Sequence, residues 1–232
     1  MRRALVLVLA LGLPAAADER RSGYDYLRAE TRAMQDDELA NPGMLAVMEG
    51  ETLWKRHGCV QCHADMKGVA VRYPAIDAKY GLLNLEKRIN LCRVERQQAA
   101  PYRYESRELL ALTTYVASQS RGMPINVTGK ATGKDAFYRR QGQVNLACAS
   151  CHEQNAGRQL AGNVIPQGHP TGYPLYRLEW QAVGSLQRRL RNCLAGIRAE
   201  VPPYGAPELV ELEHYLMQRA NGMKLETPAV RP

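Results

Sequence analysis

The sequence predicts a mainly α-helical protein of two tandem units related by internal duplication, and three observations predict it. First, two cysteines separated by two residues and followed at once by histidine occur twice, as Cys59-Val60-Gln61-Cys62-His63 and Cys148-Ala149-Ser150-Cys151-His152. Second, each copy leads to a similar stretch ending in a further cysteine: Leu85-Glu86-Lys87-Arg88-Ile89-Asn90-Leu91-Cys92, then Leu186-Gln187-Arg188-Arg189-Leu190-Arg191-Asn192-Cys193. Third, Tyr104, Glu108, Leu109, Leu112, Tyr115, Val116, Gly122 and Met123 recur at a constant offset as Tyr204, Glu208, Leu209, Leu212, Tyr215, Leu216, Gly222 and Met223. Repetition at fixed spacing marks a duplicated structural unit. The 232 residues divide into an export signal at 1–17, an N-terminal extension at 18–45, a first unit at 46–127 and a second at 128–232. The boundary falls near Asn126 to Thr132, where Pro, Gly and Thr interrupt the apolar pattern.

In chain order, Arg2 and Arg3 give a basic start, Ala4 to Leu13 an apolar run, and Ala15-Ala16-Ala17 a small-residue cleavage site, so the mature chain begins at Asp18. That run is too short for a permanent membrane anchor, and no later segment is apolar enough to cross a bilayer. A soluble, periplasmic mature protein is expected. Residues 18–45 are polar, rich in Arg, Asp and Glu, and outside both repeats; they read as an arm or helix lying across the units, or as a partner contact. Gly50, Leu53 and Trp54 mark the opening helix of the first unit, and Gly133, Ala136 and Phe137 that of the second. Irregular chain is expected after each cysteine-histidine motif, followed by a closing helix. In the second unit Leu209, Leu212 and Leu216 have helical spacing, Pro207 suits a first turn, and Gly222 stands where a left-handed stop belongs.

The paired motifs indicate what fills each unit. Two thiols at this spacing add to the vinyl groups of a porphyrin while the adjacent histidine reaches the iron from one side. Two covalently attached haem c groups are therefore expected, held by Cys59 and Cys62 and by Cys148 and Cys151, with His63 and His152 on the irons. Helix, motif, irregular chain and closing helix is the layout of a class I cytochrome c-like domain. Aromatic residues make up 6% of the chain, with one Phe and 12 Tyr, which is thin for this size unless the porphyrin supplies the missing apolar mass. Neither unit is then expected to fold stably without it.

The far side of each iron separates a carrier from a catalyst. A carrier cytochrome commonly uses methionine there, placed before the closing helix, to raise the reduction potential. Met123 and Met223 come after that helix. Cys92 and Cys193 come before it, where the ligand loop should be, and they are the two cysteines left of six once four form thioethers. A thiolate would stabilise ferric iron and lower the potential. The alternative is a Cys92–Cys193 disulfide, which an oxidising compartment allows but which needs the two ligand loops to meet. Histidine is a further alternative. His57 is too near the first motif to reach across; His169 and His214 have no counterpart in the first unit and read as surface or supporting histidines.

On a helix, Arg189 lies one turn before Cys193 on the same face, where its forked donors could hold an oxyanion beside the sulfur. On residue type alone, the other role is favoured: Arg188, Arg189 and Arg191 as propionate partners or a solvated face, with Lys87 and Arg88 as related charges in the first unit. The net charge of +8, near +6 after loss of Arg2 and Arg3, favours anionic partners, and nothing here matches a nucleic-acid-binding motif. A plain diheme electron-transfer protein would use the same motifs, and a haem sensor or peroxidase would need a vacant or labile iron site.

The second half, Gly168-His169-Pro170-Thr171-Gly172-Tyr173-Pro174 through Trp180, Gly184 to Cys193 and Pro203-Tyr204-Gly205-Ala206-Pro207-Glu208-Leu209, closely resembles the SoxA family, the catalytic haem subunits of the Sox thiosulfate-oxidising system. The resemblance covers nearly the whole mature chain and both haem units. It implies an L-cysteine S-thiosulfotransferase: a heterodimer with the monohaem cytochrome SoxX, joining thiosulfate to a cysteine on the SoxYZ carrier and passing two electrons through haem to a downstream cytochrome c. It also implies that Cys193 is the persulfide at which chemistry occurs, that Arg189 is the essential arginine, and that the first haem is dispensable to the chemistry.

Overall fold

The computed structural model describes residues 19–232; the export signal at 1–17 lies outside the described residues. In chain order the helices are α1 (Ala29–Asp36), α2 (Gly43–Arg56), α3 (Leu85–Arg96), α4 (Arg107–Ser118), α5 (Lys134–Tyr138), α6 (Cys148–His152), α7 (Leu186–Gly196) and α8 (Pro207–Arg219). The strands are β1 (Ala75–Asp77), β2 (Gly81–Leu83), β3 (Gln159–Leu160), β4 (Asn163–Val164), β5 (Leu175–Arg177), β6 (Ala182–Gly184) and β7 (Ala229–Arg231).

Local chemistry sets the main helix starts. Asn84 and Ser185 accept from Lys87 N and Arg188 N and so begin α3 and α7; Ser106 accepts from Leu109 N to begin α4; Pro207 opens α8. The apolar stripes of α4 and α8 are buried, at Leu109, Leu112 and Val116 and at Leu209, Leu212 and Leu216. Each closing helix crosses the start of its half against a glycine. A Cβ on Gly50 of α2 would lie 2.1 Å from Ala111 O on α4, and one on Gly133, just ahead of α5, would lie 2.1 Å from Glu211 O on α8. Only hydrogen fits at either crossing. Phe137 is fully buried beside Tyr215, 5.6 Å between ring centroids.

Two features depart from the sequence expectation. The chain after each motif is not wholly irregular, because β1 pairs with β2 and β5 with β6 as antiparallel hairpins, and β7 joins β5 in parallel. Nor do Cys92 and Cys193 sit in loops. Both lie inside helices, α3 and α7, started by the Asn84 and Ser185 caps.

The ends of the two halves pair with each other. Gly122 N donates to Leu225 O and Gly222 N to Ile125 O, while Ile125 N donates to Met223 O and Leu225 N to Met123 O, at 2.7 to 2.9 Å. Tyr104 and Tyr204 stack 6.3 Å apart, 9° from parallel. One core cluster takes Leu53, Trp54, Leu112 and Val116 from the first half and Met217, Ala220 and Leu225 from the second. The N-terminal extension contacts both halves. Arg20 donates to the carbonyls of Arg219 and Asn221, Arg121 donates to Gln35 O, and Gln35 Oε1 accepts from Val230 N.

Between the halves, α3 and α8 bury two carboxyl groups, Glu86 and Glu213, beside the side-chain amides of Asn84 and Gln187. Burial, reinforced by the Glu105 charge, pushes Glu86 up to about 7 from 4.5; burial and the Glu86 charge push Glu213 up as well. A raised carboxyl pKa means that the folded chain keeps protons which the unfolded chain has released. Stability from Glu86 is therefore full below pH 4.5 and is lost as pH rises through about 7. Urea unfolding on either side of that window should show the wild type losing more stability with rising pH than Glu86→Gln. Equal losses would place no extra proton on Glu86.

Candidate functional site

The first motif lies in a 3₁₀ turn, Cys59–Gln61, directly after α2. Cys59 is half-buried and accepts from Gln97 Nε2 at 3.4 Å, whereas Cys62 and His63 are exposed. The His63 ring stands 5.9 Å from that of Trp54. Cys92, on α3, comes near enough to Cys59 for its charge to raise the Cys59 pKa, behind the larger effect of burial.

The second motif is more enclosed. It forms α6, where Cys148 is half-buried and Cys193 of α7 lies close by; burial first and the Cys193 charge second push Cys148 up to about 11. His152 shares a 2.8 Å hydrogen bond between Nδ1 and Pro166 O. Gly168 presses on the same ring, with a Cβ there meeting His152 Cγ at 2.9 Å. A cavity of about 300 Å³ opens beside His152, with His169, Arg20, Gln167 and Arg219 on its wall. A carbonyl partner for one ring nitrogen fixes the tautomer and leaves Nε2 to meet a metal. The residues of the second motif thus fit a haem with an imidazole ligand: two thiols and an oriented histidine. His63 at the first motif is less supported.

Each remaining cysteine faces the motif of its own half. All six cysteines are free, so Cys92 and Cys193 do not form a disulfide. Met123 and Met223 pack against the first core cluster. His57 Nε2 is 2.8 Å from Tyr102 OH, and His169, beside His152, hydrogen-bonds Arg21 O. His214 is buried at 1% exposure and bonds Thr128 O, so it is a core histidine that holds the linker, neither on the surface nor at a metal site.

The arginines of α7 divide by their neighbours. Arg188 lies 4.2 Å over Trp180 and Arg191 4.3 Å over Tyr204. Arg189 has no ion pair among the described residues, and it lies close to Tyr173, whose hydroxyl burial pushes up to about 12 against the opposing charge of Arg189. Cys193 acts on the same tyrosine. Tyr173, Arg189 and Cys193 thus form one cluster on α7 and the chain before β5. The sequence singles out the last two, and only the Tyr-Pro pairs at Tyr73 and Tyr173, one in each half, could have signalled the first.

The family described as SoxA/TsdA, cytochrome c domain, matches residues 49–125 and 132–225. The L-cysteine S-thiosulfotransferase subunit SoxA of Pseudaminobacter salicylatoxidans is 40% identical, the match covering 92% of this chain and 82% of that protein. The subunit of the same name from Rhodovulum sulfidophilum is 34% identical over 92% and 81%. The crystal structure of SoxXA from P. pantotrophus superposes with a TM-score of 0.87 at 32% identity, covering 92% of this chain and 87% of that one. The helical halves accordingly have the cytochrome c domain fold, and the chain belongs to the SoxA family.

Proposed function

We propose that this chain is the catalytic haem subunit of an L-cysteine S-thiosulfotransferase, joining thiosulfate oxidatively to a cysteine of the SoxYZ carrier. The name of its relatives supports the activity. The observation that carries the site assignment is Arg189, without a carboxylate partner among the described residues, one helical turn before Cys193, which faces Cys148. The two halves are read as duplicated cytochrome c units at 46–127 and 128–232, with Cys59 and Cys62 and Cys148 and Cys151 attaching two haem c groups. His63 and Cys92 would hold the first iron, and His152 and Cys193 the second.

The net reaction is carrier–SH + thiosulfate(2−) → carrier–S–S–SO3(−) + H+ + 2e−. When bound, the haem groups supply the electron sink, accepting two electrons in single steps. The guanidinium of Arg189 holds the sulfonate oxygens with two donors and neutralises part of the dianion's charge. Cys193, carried as a persulfide, forms a bond from its outer sulfur to the sulfane sulfur of thiosulfate as two electrons leave. The carrier thiolate then attacks that sulfane sulfur, the bond to the persulfide breaks, and Cys193 returns as persulfide anion. Tyr173 lies close enough to both Arg189 and Cys193 to feel their charges. A heterodimer with SoxX, export to the periplasm and onward transfer to a downstream cytochrome c complete the reading. Consistent with it, no helix among the described residues is long and apolar enough to cross a membrane.

Arg189→Ala should keep both haem spectra and lower conjugation about 100-fold, the loss typical of one donor to a developing anion; full turnover removes Arg189 from the chemistry. Cys193→Met should bind haem and lose conjugation. A Cys193→Met protein that still conjugates thiosulfate makes the chain a plain diheme electron carrier, with the sulfur chemistry elsewhere.

A further inference from the structure

The two halves carry the same arginine and cysteine at the same spacing, yet the function proposed above uses one pair. Arg88 precedes Cys92 by four residues, as Arg189 precedes Cys193. Both cysteines face the attachment motif of their own half. Proximity to the motif is thus common to Cys92 and Cys193. The charge opposite the arginine is not.

Strand β1 ends at Asp77 and β5 at Arg177. Each is the last residue of the first strand in the hairpin that precedes the cysteine helix, paired across the hairpin with Gly81 and Ala182 respectively. In the first half the Asp77 carboxylate forms an ion pair with Arg88 Nη2, and Arg88 Nε donates to Tyr73 OH at 3.2 Å. The guanidinium is engaged along its fork and its charge is cancelled. The Arg88 hydrogen bond in turn holds the Asp77 carboxyl below its usual range, so the pair stays ionised near neutral pH. In the second half Tyr173 replaces Tyr73, but the strand ends in Arg177, which turns to Glu179 at 2.8 Å. Arg189 is left with no carboxylate partner among the described residues.

We propose that Asp77 is the specificity-determining residue that closes the first half to oxyanions, so that thiosulfate is held at Arg189 beside Cys193 and not at Arg88 beside Cys92. A dianion arriving at Arg88 meets a guanidinium whose Nε and Nη2 edge is already taken and a carboxylate of its own sign next to it. Repulsion of this kind discriminates between like sites more sharply than a missing contact does. Arg177 contributes by occupying the place from which a carboxylate would silence Arg189. This account rests on the thiosulfotransferase reading of Arg189.

The test is equilibrium dialysis of the holoprotein, fully reduced so that no electrons can be accepted, against labelled thiosulfate. The wild type should hold one ion per chain, Arg189→Ala none, Asp77→Asn two, and Asp77→Asn combined with Arg88→Ala one again. The reciprocal variant Arg177→Asp should weaken the wild-type site by about tenfold or more, as a new ion pair to Arg189 demands. Asp77→Asn should leave conjugation by the second half unchanged. One ion per chain in both wild type and Asp77→Asn overturns the role of Asp77 and leaves Arg189 standing. No ion in the wild type overturns the Arg189 reading itself. If Asp77→Asn does not fold, unchanged affinity in Arg177→Asp overturns the proposal by itself.

Discussion

The chemistry of the site depends on where α7 begins. Ser185 accepts from Arg188 N and so fixes the first turn; every later residue of the helix then has a set direction. Cys193 falls two turns on, facing Cys148, and Arg189 one turn before it on the same side. Arg188 and Arg191 point to Trp180 and Tyr204 and are held there. A helix started one residue later would turn Arg189 and Cys193 together away from Cys148 by about 100°. The cap is thus a catalytic constraint as much as a local stabiliser.

Positions of α3 and α7 are fixed in turn by the closing helices. The glycine crossings at Gly50 and Gly133 let α4 and α8 approach the start of each half, and the paired strands of chain at 122–125 and 222–225 hold the two ends together. The shared core cluster and the extension that ties Arg121 to Gln35 and Gln35 to Val230 make the halves one interior. Buried Glu86 and Glu213 lie at the same junction. A protonated pair there is compatible with the apolar surroundings, while a doubly ionised pair is not.

The closing helices are legible in the sequence because Leu109, Leu112 and Val116, and their counterparts, repeat at helical spacing with recognisable starts at Ser106 and Pro207. The attachment motifs are legible because their spacing is dictated by covalent chemistry. The hairpins are not, since three residues such as Ala75–Asp77 are too few to display alternation. In the helix bearing Cys92 the basic residues Lys87, Arg88, Arg93 and Arg96 blur the apolar stripe, whereas in α7 Leu186, Leu190 and Leu194 repeat at helical spacing. Residue type also favours treating Arg188, Arg189 and Arg191 alike; their separation comes from Trp180 and Tyr204, partners fixed only by the fold. The same holds for Arg88, whose neutralisation by Asp77 joins a strand to a helix.

The proposed chemistry requires the sulfur of Cys193 to be a ligand of the second iron, which His152 would also hold. Low-temperature electron paramagnetic resonance of the ferric holoprotein reads that atom directly. Low-spin signals of histidine–thiolate type at both irons, one of them lost in Cys193→Met with its haem still attached, are the predicted result. A histidine–methionine or bis-histidine signature at the second haem would contradict it.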